Sequence, residues 1–97
     1  MLLSLVLFAE PAEANTLPEV KRPDFSTSSA VIASLDGMIA ALEEEAKIHS
    51  SWQVGRALGN CREARQIIAQ WPDVGAYSPR GAERLWRDCR STYGAVR

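Results

Sequence analysis

The chain has one histidine, His49, two cysteines, Cys61 and Cys89, and no lysine from residue 51 to its end. Each scarcity narrows the chemistry. A structural zinc site takes about four Cys, His or carboxylate ligands at characteristic spacings, which two distant cysteines and one histidine do not supply. There is no Cys-x-x-Cys pair for redox work, no Cys-x-x-Cys-His for haem attachment and no glycine-rich phosphate loop. His49 stands beside Ser50 and Ser51, yet no spacing marks a Ser-His-acid set or a nucleophile elbow. The sequence therefore gives no catalytic residue, metal or cofactor, and a scattered acid pair meeting in a small bundle would find little room for a cleft. No stretch alternates with period two over a useful length, which excludes a sheet.

Long apolar runs are also missing. The longest, Leu2 to Ala9, is far short of the roughly 20 residues that cross a bilayer. It is followed by Pro11 and by Ala12-Glu13-Ala14, the small-x-small pattern of a signal-peptidase site, so residues 1–14 read as a signal peptide cut after Ala14. No Lys or Arg precedes the run, which leaves room for a start upstream of Met1; the alternative is an apolar segment kept in the domain. Removal of Glu10 and Glu13 would leave ten acids against eleven bases. Net charge then selects no partner. Its distribution is uneven, with six acids and three bases in residues 15–50 against four acids and eight arginines in 51–97, and pairing between the halves is the simplest use of that asymmetry.

What is present is helical periodicity. Residues 15–27 carry two prolines and form an extended or mobile arm. Val31, Ile32, Leu35, Met38, Ile39, Leu42 and Ala46 then recur at 3.6-residue spacing, giving a first helix over about 29–48 capped by Ser28 or Ser29. Ser50 with Gln53 has capping-box spacing, although no glycine separates the first helix from a continuation to Leu58. Val54, Ala57, Leu58, Cys61, Ala64, Ile68 and Trp71 share the next arc, a second helix over about 51–71 ended by Pro72 and weakened at Gly55 and Gly59, where a kink is allowed. Ser78-Pro79 opens a third over about 79–93, with Ala82, Leu85, Trp86, Cys89 and Tyr93 on one face. The expected fold is an all-α, antiparallel three-helix bundle, with residues 28–97 as one domain.

A hairpin turning near Gly75 leaves Cys61 and Cys89 equidistant from the turn, and likewise Ala64 with Trp86 and Ile68 with Ala82. The register that joins the apolar faces also joins the sulfurs. In an exported chain this pair reads as a structural disulfide, worth about 3–4 kcal/mol in the chain-entropy model.

Three surfaces remain. Trp52 falls away from the core arc on a side shared with Gly55 and Gly59, so it is either a partner-binding patch or a ring covered by the arm or the first helix. Arg80, Arg84 and Arg87 follow at i, i+4 and i+7 on the outer face of the third helix. Such a stripe, with Arg90 nearby, binds a phosphate-rich polyanion or an acidic protein surface, or is satisfied internally, through Glu83 with Arg87 and Arg84 with Asp88. Ala33, Gly37, Ala40 and Ala41 make a small-residue side on the first helix, a seam for a second copy or simply good helix formers. The triple Glu43-Glu44-Glu45 reads as surface charge facing arginines of the second half.

In size and class alone the chain is like toxin-immunity proteins, enzyme inhibitors and acid-stress chaperones; no motif matches any of them residue by residue. The expectation is a small periplasmic or secreted, non-enzymatic binding protein of inhibitor, immunity or accessory-subunit type. It would act by protein-protein contact, without nucleic acid and without a transmembrane segment in the mature chain. A structural or chaperone-like helical oligomer, a homodimer included, is the alternative, and a small envelope enzyme a minor one.

Overall fold

In a computed structural model of the protein, residues 17–71 and 77–97 are described. Residues 1–14, read from the sequence as a signal peptide, and the turn expected near Gly75 lie outside them. Three helices follow one another, α1 (Ser28–Ile48), α2 (Trp52–Gln70) and α3 (Pro79–Val96), and no strand is found among the described residues. The expected three-helix, all-α class is the one formed.

Each helix starts where a hydroxyl satisfies a first-turn amide that has no partner inside the helix. Thr27 caps α1, accepting from the Ala30 N–H, in place of Ser28 or Ser29, which are already helical. Ser51 rather than Ser50 caps α2, accepting from the Val54 N–H at 3.2 Å, so the proposed Ser50-Gln53 box does not form. The extended backbone of Ser51 also separates α1 from α2, which settles against one long helix. Ser78 caps α3 with Pro79 in the first turn, as the sequence indicated. That helix continues three residues past Tyr93, because nothing in Gly94-Ala95-Val96 breaks it and Val96 packs on the core. Glycines 55 and 59 leave α2 uninterrupted.

The core is the set of periodic positions. Val31, Leu35, Met38 and Leu42 of α1, all six named arc residues of α2 before Trp71, and Ala82, Trp86, Cys89 and Tyr93 of α3 are buried; Ile32, Ile39, Ala46, Trp71 and Leu85 are half-buried against them. No polar or charged residue is buried among the described residues. Cys61 and Cys89 form the disulfide between α2 and α3, with no solvent exposure and the Met38 sulfur 3.7 Å from that of Cys89. The indole N–H of Trp86 donates to Ser34 Oγ at 2.9 Å, giving a half-buried polar atom its partner.

Residues 17–27 lie along the bundle without regular secondary structure. Leu17 is buried, Phe25 meets Trp86 edge-to-face at 5.5 Å, and two tyrosines tie the arm down. Tyr93 donates its hydroxyl to the Pro18 carbonyl and Tyr77 to that of Phe25, each at 2.6 Å. Ala33 and Gly37 of the small-residue side line an open groove of about 560 Å³ beside Val20 of this arm. That side of α1 thus partly faces the chain's own N-terminal segment.

Candidate protein-binding surface

Trp52 takes the first position of α2, one residue after its cap, and the arm runs over α1 and α3 instead of reaching it. The indole is 68% exposed. Four residues earlier, at the last position of α1, Ile48 is 70% exposed. These two are the exposed large hydrophobic side chains of the described residues, and they stand at the same helix-helix corner. Ile48 was not singled out from the sequence, though the signal was there: it lies off the arc of Leu35, Leu42 and Ala46. Covering an indole removes a large apolar area from water, which is why exposed Trp is a frequent energetic anchor of interfaces.

The immediate surroundings of Trp52 differ from the expected glycine-lined groove. Gly55 and Gly59 are exposed, and a methyl group added at either meets nothing within 4 Å, so the ring does not lie on them. Trp52 instead shares a shallow concavity with Gln53, Arg56, Thr92 and Ala95, between the start of α2 and the end of α3. Arg56, missed from the sequence, sits one turn after Trp52 and adds a cation to the lining of this concavity.

Arg80, Arg84 and Arg87 come together at the opposite end of α3, with Ser78, Gly81 and Glu83, around an open depression of about 500 Å³. The pairing foreseen within the helix is half realised. Arg87 reaches Glu83 at 3.2 Å, whereas neither Arg84 nor Asp88 takes part in any ion pair among the described residues. Glu83 also receives Arg22 of the arm at 2.6 Å, a residue the sequence gave no reason to place here. The hydrogen bond from Arg22, with the charges of Arg22, Arg87 and Arg80 adding to it, holds the Glu83 carboxyl below its ordinary value despite some desolvation. Acids of α1 are neutralised elsewhere, Glu43 by Arg62 at 2.9 Å and Asp36 by Arg65 at 2.8 Å, so those two arginines are spent across the α1–α2 seam. The Asp36 hydrogen bond and charge raise the Arg65 pKa further.

His49, the sole histidine, approaches Glu45 through Nδ1 at 3.2 Å, and its ring is open to solvent. The adjacent Ser51 hydroxyl is engaged as the α2 cap. No cluster of three or more His, Cys, Asp or Glu able to hold a metal is found among the described residues, and no helix there is long and apolar enough to cross a membrane. The chain matches no protein-family model, no curated protein and no solved structure.

Proposed function

We propose that the protein is a small exported binding protein, acting without catalysis by covering a surface of another protein through its Trp52 corner. The observation that carries this reading is the exposure of Trp52 and Ile48 together, while the other large apolar side chains of the described residues are wholly or partly withdrawn from water. An aromatic ring held at the fixed start of a helix loses little freedom on contact, and the adjoining Gly55 and Gly59 put no side chain in the way of an approaching backbone. Export to the periplasm or the medium accords with a buried disulfide in a chain of this size, which persists where thiols are oxidised.

The test is affinity capture from the cell envelope by the oxidised wild type and by Trp52→Ala in parallel. A stoichiometric partner retained by the first and lost by the second is the expected result. A concentration-dependent dimer in sedimentation, abolished by the same substitution, would replace this reading with self-assembly. Equal retention by both proteins would refute the role of Trp52.

A further inference from the structure

The first half of α3 carries a cluster of arginines with few acids among them. Arg22, Arg80 and Arg87 act on one carboxylate, Glu83, and Arg84 lines the same depression, an excess of three positive charges among these five side chains. Arg22 and Arg87 both meet the same oxygen of Glu83, while Arg80 and Arg84 have no ion-pair partner of their own among the described residues. Two of the four are therefore free to accept a carboxylate without breaking anything already made. Arg22 is also held from its other side, its guanidinium standing 4.8 Å from the centre of the Phe25 ring. The cluster is thus partly ordered before any partner arrives.

We infer that this face of α3, completed by Arg22, docks an acidic helix of the partner protein, one with Asp or Glu at i, i+4 and i+7. The inference rests on the protein-binding reading above and adds the chemistry of what is bound. Arg80, Arg84 and Arg87 are spaced along α3 by about 6 Å and about 4.5 Å, the rise of four and three helical residues. Carboxylates on one face of a facing helix repeat at the same intervals, and a guanidinium pairs with each through two parallel hydrogen bonds. A continuous phosphate chain fits less well. Its charges follow without a gap and would press against Glu83 in the middle of the stripe, whereas side-chain carboxylates at helical intervals leave gaps between them. The distance along α3 from Arg87 to Ala95, beside Trp52, is about 12 Å, so one partner can reach both regions.

The test uses the intact oxidised protein and a labelled helical peptide with glutamates at i, i+4 and i+7. A peptide of the same composition with its glutamates spread around the helix, and inorganic polyphosphate, serve as comparisons. The spaced peptide should bind at least tenfold more tightly than the spread one. The double substitution Arg80→Ala with Arg84→Ala should weaken it at least tenfold while leaving the melting temperature unchanged, since neither side chain holds an ion pair. Equal binding of the two peptides, tighter binding of polyphosphate, or full affinity in the double variant would each overturn the inference. So would a captured partner lost by Trp52→Ala but kept by the double-arginine variant, an outcome that leaves the Trp52 reading standing.

Discussion

Tyr93 shows at the scale of one residue how the arm is fastened and where that fastening fails. Its ring is fully buried and its hydroxyl donates to the Pro18 carbonyl, a bond that exists only while the phenol keeps its proton. Burial raises the pKa of Tyr93 despite the lowering charges of Arg97 and Arg90, and burial followed by the charge of Asp24 raises that of Tyr77. An acid with a raised folded-state pKa binds its proton more tightly when folded. Its stabilising contribution is complete below the unfolded value, about 10, and is lost as pH rises through the folded one. Denaturant midpoints should therefore fall above about pH 10, and fall less in Tyr93→Phe than in the wild type. At neutral pH Tyr93→Phe should cost about 1 kcal/mol, the net worth of one hydrogen bond, and should speed proteolytic cleavage of the arm. An alkaline decline identical in the two proteins would show that Tyr93 does not govern it. On the acid side the carboxyls of Asp24 and Glu83 are held low, the first by the Ser26 N–H and hydroxyl, so what they contribute is lost as pH falls through their folded values. Asp24 is solvent-exposed and Glu83 only half-buried, so screening keeps that loss small.

At the scale of the helix, Gly55 and Gly59 separate stability from function. Each lies inside α2 with open space where a side chain would go, so alanine removes backbone entropy from the unfolded chain without a clash. Each Gly→Ala substitution should raise the unfolding free energy by up to about 1 kcal/mol, and if the partner's backbone comes close there, binding should weaken in the same protein. Thermal melts and affinities of the two variants check this. Ser51→Ala should lower stability by about 1 kcal/mol by uncapping α2 at the Val54 N–H. Element positions were legible in the sequence because hydrophobic period, Pro72, and Ser78-Pro79 all act locally. The choice of Ser51 over Ser50, and of Thr27 over its serine neighbours, was not, since adjacent hydroxyls differ only in backbone geometry. That Trp52 points away from the core arc was legible from angle alone, but that neither the arm nor α1 covers it was not. Which neighbours it meets was not, because Thr92 and Ala95 come from another helix and Arg22 reaches Glu83 across 61 residues of sequence.

For the whole molecule, the disulfide joins segments 28 residues apart and is the one covalent constraint on a small core. Replacing both cysteines by alanine should cost about 3–4 kcal/mol from loop entropy alone, read as a lowered denaturant midpoint. An unchanged midpoint would mean that packing already fixes the α2–α3 register. Beyond the closed core, the molecule presents an apolar corner at Ile48 and Trp52 and an arginine face on α3, both outward and both free of the arm's coverage except at Arg22. In the proposed function Trp52 lies outside the fold and inside the interface. Titration of the captured partner into wild type and Trp52→Ala, with the melting temperature of each taken on the same samples, tests that most directly. Affinity lowered by about 2 kcal/mol or more, as at an interface hot spot, with stability changed by less than about 0.5 kcal/mol, is the predicted result. Undiminished affinity with a lowered melting temperature would contradict it and return Trp52 to the core.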